Sequence, residues 1–183
     1  MIRSARVAAL ALGVAAGGLG CGAGPYGHAR TYVPLDAEEK AVAGAPELDP
    51  VMARRMPDQW VKKKVALFGV VLRRKDAGGG RAEVVLSLRA LEPRNLCANT
   101  SDDSCRVTVS DRAFDRVLAK LRLATHEDAA GPTSIGFGSL LRVVGTLEEQ
   151  PGPDGALVVD ATYYRHWPRG DYVTTRSAPF MRQ

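Results

Sequence analysis

Aromatic side chains are scarce in this chain: two Trp, five Tyr and four Phe, 6% of 183 residues. That scarcity argues against a stacking platform for single-stranded nucleic acid. Histidine is rarer still. His28, His126 and His166 are the three present, and they share no ligand spacing of the His-Glu-x-x-His kind. No Gly-x-Ser-x-Gly elbow presents a nucleophile. The apolar run Val7 to Ala16 is too short to span a bilayer as a helix. Charge of one sign is not in large excess. Lys and Arg number 25 against 20 Asp and Glu, +5 in all. Setting aside Arg3 and Arg6 leaves 23 against 20, or +3, an ordinary surface and weak support for a nucleic-acid partner.

What the chain does have is apolar mass, 45% of its residues, enough for one folded domain with short extras. It also has a distinctive start. Arg3 and Arg6 form a positive region, Val7 to Ala16 an apolar one, and Gly17-Gly18-Leu19-Gly20-Cys21 follows. Small residues let a chain enter a peptidase cleft extended, and a cysteine after the cut supplies a thiol for acylation. The segment resembles the lipobox of bacterial lipoproteins, with Gly20 and Cys21 at its last two positions. Gly18 stands where the lipobox usually has Leu, so ordinary secretory cleavage stays open as an alternative. The resemblance implies loss of residues 1–20 and lipidation at Cys21. Several acyl chains, each buried methylene contributing about 0.8 kcal/mol, would hold the protein on a membrane. Residue 22 is Gly rather than the Asp that signals inner-membrane retention in enterobacteria, so the resemblance implies the outer membrane; the periplasmic face is the expected side.

Cys97 and Cys105 lie eight residues apart. In an oxidising compartment they are expected to form a disulfide closing a small loop, a constraint of roughly 2.5 kcal/mol. A metal site would need further ligands, and neither a His nor a third Cys lies nearby in sequence.

Residues 21–58 read as lipidated Cys and flexible tether, with one short helical turn within Asp49 to Pro57. A folded domain follows over 59–167, then an irregular tail over 168–183. Val65 to Leu72 is a strand apolar on both faces. Asp76-Ala77-Gly78-Gly79-Gly80 is a turn; no Gly-Lys-Ser/Thr follows, so a phosphate cradle is rejected. Strands are expected over Glu83–Leu91 and Arg106–Val109. Ser110 resembles a helix N-cap, and Phe114, Val117, Leu118 and Leu121 recur at i, i+3, i+4 and i+7, so the pattern predicts an amphipathic helix. Strands over Leu140–Leu147 and Ala156–Tyr164 flank the turn Pro151–Gly155. Strand, strand, strand, helix, strand, strand is the order of the OB-fold. The expected fold class is therefore mainly β: an OB-like five-stranded Greek-key barrel with one α-helix between strands three and four. Gly69 and Gly145 suit places where barrel strands coil.

The leader ending at Cys21, VALFGVV with its internal glycine, the Gly-rich turn, LLRVVGTL and VVDATYYRHW together resemble the Slp family, the starvation-inducible outer-membrane lipoproteins. That resemblance spans Trp60 to Trp167 and implies a small, anchored OB-like protein with no established enzymatic activity. The Cys97–Cys105 loop has no counterpart in it.

Tyr163, Tyr164, Arg165, His166, Trp167 and Arg169 form the candidate binding surface, aromatic rings beside cations suited to a glycan or a protein. The alternative is an aromatic plug that closes the barrel edge. Ser101-Asp102-Asp103-Ser104 lacks the calcium-loop pattern and reads as solvated loop. Arg169-Gly170-Asp171 is a chance tripeptide. The expectation is a non-catalytic envelope lipoprotein, without metal or cofactor, that binds an envelope protein or glycan. One alternative is an exported OB module for nucleic acid or another acidic polymer, using Arg73, Arg74, Lys75 and Arg81. Another is a periplasmic enzyme or metalloprotein in which His126 or His166 meets acids in one cleft.

Overall fold

The computed structural model describes residues 29–99 and 101–177. The leader, Cys21 and His28 lie outside them. Three short helices come first: α1 (Asp36–Val42), α2 (Pro50–Arg55) and α3 (Pro57–Trp60). Then follow β1 (Lys64–Gly78), β2 (Arg81–Arg89), β3 (Val107–Val109), β4 (Arg116–Arg122), α4 (His126–Ala129), β5 (Leu140–Leu147), β6 (Leu157–Trp167) and β7 (Tyr172–Thr174).

Five strands close a barrel in the order β1-β2-β4-β6-β5. Numbered within the barrel that is 1-2-3-5-4. Its pairs are antiparallel except β4 with β6, which run parallel. This is the Greek-key barrel of the OB-fold. The long β1 makes closure possible. Its first half pairs with β5 over Lys64–Val70 and its second with β2 over Phe68–Gly78, with a bulge between Val71 and Arg73 that bends it from one neighbour to the other. Gly69 lets β1 press on β2, since a Cβ there would stand 2.8 Å from Leu86 Cβ.

Alternation sorts the side chains. Val65, Leu67 and Val71 enter the barrel with Leu86, Val117 and Val143. Ile135, from the loop before β5, plugs one end. A second cluster lies outside the barrel wall, where Phe68, Leu140 and Trp167 pack under Val107, Val109, Tyr32 and Tyr172. The two apolar faces of β1 thus have two separate covers.

Four expectations need correction. The helix over 110–122 does not form. Arg116–Arg122 is the third barrel strand, with Val117, Ala119 and Leu121 inside, Leu118 outside and Phe114 in solvent. Apolar i, i+3, i+4 spacing is a subset of what a strand buried on both faces can show, and Ala119 is too small to betray the period of two. Ser110 forms a turn, its Oγ accepting from Arg112 N at 3.1 Å. Arg106–Val109 supplies no barrel strand: β3 sits outside and pairs in parallel with β7. The tail over 168–183 is accordingly folded as far as Ser177. The segment read as tether is packed from Tyr32 onward. Leu48 and Ala53 belong to the barrel core, and Leu48 N donates to Ala66 O. The helix between the third and fourth barrel strands is the single turn α4, capped by Thr125 Oγ1, which accepts from Asp128 N.

The expected bridge is present: Cys97 and Cys105 form a disulfide, with Cα atoms 4.0 Å apart.

Candidate functional site: a basic groove on the outer barrel face

On the outer surface of β1, β2 and β4 the register sets side chains in rows. Arg73 lies across from Val85 and Val85 from Leu118, while Lys75 faces Glu83 and Glu83 faces Lys120. Ser87 is opposite Arg116. At the hairpin end Arg81 is opposite Arg122, a like-charged pair that destabilises the sheet unless an anion lies over it.

An open groove of about 1340 Å³ runs along this face. The β5–β6 turn, through Pro153, Asp154 and Ala156, forms one wall, and Phe114 and Phe137 stand at its margins. Both rings are held in water, 50% and 70% exposed, which is unusual for phenylalanine. Five basic side chains line the groove (Arg54, Arg73, Arg74, Lys75, Arg116) against three acidic ones (Glu83, Asp115, Asp154). They are not equivalent. Arg54 pairs with Asp115. Arg74 is structural: its guanidinium donates to Asp128 O, Ala129 O and Ile135 O and pairs with Asp76, fastening the plug to β1. Arg73, Lys75 and Arg116 have no side-chain partner among the described residues, so three cations point to solvent beside two exposed rings.

Of the four cations expected to bind a polymer, Arg73 and Lys75 line the groove free, Arg74 is engaged, and Arg81 extends the basic row beyond it. Arg116, Phe114 and Phe137 are not legible as site residues in the sequence: the first two fall within a helical spacing, and an isolated Phe in a loop carries no signal of its exposure.

The cluster from Tyr163 to Arg169 does not form one surface. Trp167 is fully buried in the outer cluster. Arg165, 5% exposed, lies beneath α1, and its Nη1 is 3.0 Å from Glu38 Oε2. Glu38 is itself 2% exposed and accepts from Tyr32 Oη at 2.5 Å. Burial and this carboxylate raise the Tyr32 phenol far above its usual value. Arg142 completes the clamp, bound to Glu47 at 2.6 Å and stacked on Phe68 at 4.5 Å. Tyr163 is half-buried near the clamp, and burial raises its pKa. Arg169 is exposed, its stem lying against Gly138.

Tyr164 and His166 face the other way, into the plugged end. Tyr164 Oη donates to Asp128 Oδ2 at 2.6 Å and accepts from Ala124 N. His166 Nδ1 lies 3.1 Å from Asp128 Oδ1. Burial, its largest influence, pushes the imidazole below its usual pKa, with Asp128 pulling the other way. A His therefore does meet an acid, but neither Asp128, Tyr164 nor His166 lines the groove. The trio ties α4 to β6. His126 is exposed on α4, apart from it. Among the described residues no three His, Cys, Asp or Glu side chains converge as a metal site would require.

No family model matches the chain, and comparison with curated proteins finds no match. Solved structures do show likeness. A small single-stranded DNA-binding protein from Streptomyces coelicolor has 18% identity and a TM-score of 0.33, covering 58% of this chain and 93% of its own. The protein priB from Ralstonia solanacearum has 18% identity and a TM-score of 0.28, covering 57% of this chain and 97% of its own. At such scores the OB assignment rests on strand order and pairing.

Proposed function

We propose that this chain is an exported OB module that binds an extended anionic polymer, such as a single-stranded nucleic acid, along the outer face of β1, β2 and β4. The observation behind this reading is the open groove lined by Arg73, Lys75 and Arg116, three cations with no side-chain partner among the described residues, and by two solvent-exposed phenylalanines. Cations spaced along a strand face suit repeated phosphates or carboxylates, and the rings offer apolar planes for bases or sugars. Acid groups in the groove and a modest net charge suit moderate rather than tight affinity.

The disulfide agrees with an oxidising compartment. Export, lipidation at Cys21 and an outer-membrane, Slp-like placement belong to the same proposal and rest on residues 1–22. The Tyr163–Arg169 stretch suits a glycan or protein contact less well, because its side chains mostly have partners inside the fold.

Fluorescence anisotropy with a labelled oligothymidylate, across a salt series, tests this reading. Three neutralised phosphates give a slope of log K on log salt of about −2. Arg73→Ala with Arg116→Ala flattens the slope, and Phe137→Ala weakens binding at every salt. Absence of binding at low salt, to this probe and to a polycarboxylate alike, sinks the proposal.

A further inference from the structure

A second concavity, of about 510 Å³, opens beside the groove between α2 and the 110–115 segment. Its floor is apolar and closed: Leu48, Leu67, Phe68 and Leu88 are each under 9% exposed. Its rim carries Val51 and Phe114, two apolar side chains 54% and 50% exposed. Both stay about half exposed although they adjoin an apolar floor. The volume falls within the range of small-molecule pockets.

Its charge is not balanced by its own acids. Glu47 and Asp49 line the pocket, but the Glu47 carboxylate is held by Arg142 at 2.6 Å. Asp49 Oδ1 caps α2, accepting from Val51 N and Met52 N at 2.9 and 3.0 Å. The two cations are differently placed. Arg112 lies over the Phe114 ring at 5.7 Å and has no carboxylate partner among the described residues. Arg89 Nη1 donates to the Ser110 and Asp111 carbonyls, while Arg89 Nε is buried with no hydrogen-bond partner among the described residues. Neither guanidinium is neutralised by a carboxylate among the described residues, so an anion seated between them gains charge-assisted hydrogen bonds.

We propose that this pocket binds an aliphatic carboxylate, its chain on Leu48, Leu67, Leu88 and Val51 and its head between Arg89 and Arg112. The site is independent of the polymer groove; the two share only the Ala113–Phe114 wall.

Calorimetric titration of the purified full chain with hexanoate, octanoate and decanoate, and with decan-1-ol, tests it. Each added methylene tightens binding by about fourfold until the pocket is full. Decanol binds at least about tenfold more weakly than decanoate, because it lacks the charge. Arg89 also supports backbone, so the decisive variants are at exposed positions. Arg112→Ala weakens decanoate by about tenfold, and Val51→Asp abolishes binding while the protein keeps its melting transition. The proposal is overturned if no carboxylate binds saturably, if decanol binds as well as decanoate, or if both variants leave decanoate affinity unchanged. Oligonucleotide binding serves as a separate readout, and its failure would leave this result standing.

Discussion

Gly145 sits where β5 meets the bulged part of β6, with no room for a side chain. A Cβ there would overlap the Asp160 carbonyl oxygen and stand 2.8 Å from Ala161 Cα. Backbone cannot yield as a flexible side chain can. Gly145→Ala is therefore expected to destabilise the protein by about 3 kcal/mol or more, read as a drop in the denaturant midpoint. Gly155→Ala, in the turn at φ +71°, is a milder control with open space around it, costing only local strain. His166 gives a second test at this scale. Its imidazole is pushed below the ordinary 6.5 by burial, against the pull of Asp128 and Asp171. Below about pH 6.5 the unfolded chain takes up a proton that the folded chain refuses, so stability falls as pH drops and levels off once folded His166 also protonates. Denaturation curves between about pH 7.5 and 5 will show this slope, and His166→Gln will flatten it.

At the scale of elements, the disulfide loop and β3 act together. Leu96 and Arg106 bridge across the loop neck, and β3 just beyond pairs with β7. Reduction frees a small loop, so the loss should be no more than about 2.5 kcal/mol. The β3–β7 pair should lose protection first, leaving the barrel intact. Hydrogen exchange of the Cys97→Ser, Cys105→Ser variant checks both the size and the location. The strand β4 carries a helical spacing for a related reason. The i, i+3, i+4 pattern of Phe114, Val117, Leu118 and Leu121 cannot by itself separate a helix from a doubly buried strand. What separates them is Leu118, covered outside by the β5–β6 turn near Gly152 and Val158. No residue within 110–122 reports that cover.

For the whole molecule, the N-terminal segment is part of the folded unit. Leu48 and Ala53 join the barrel core, and Glu38 neutralises the nearly buried Arg165 and approaches Arg142. Deleting residues 1–58 would leave two buried guanidinium groups without their carboxylates and uncover Phe68. Breaking a buried pair in this way costs about 3–5 kcal/mol. The truncated chain is expected to melt far lower than the full chain, or to aggregate, in a thermal scan followed by size-exclusion chromatography. A flexible tether would predict an unchanged melting temperature.

The β-rich barrel, its glycine-bent strands, its turns and the Cys97–Cys105 bridge were legible in the sequence, because alternation, turn chemistry and cysteine spacing are local properties. The proposal of a leader and of lipidation at Cys21 rests on the sequence alone. Which strand completes the barrel, the burial of Arg165 and Trp167, and the exposure of Phe114 and Phe137 were decided by tertiary structure. Those outcomes depend on partners distant in sequence, such as Glu38 for Arg165, 127 residues away. A single side chain carries no record of what will cover it.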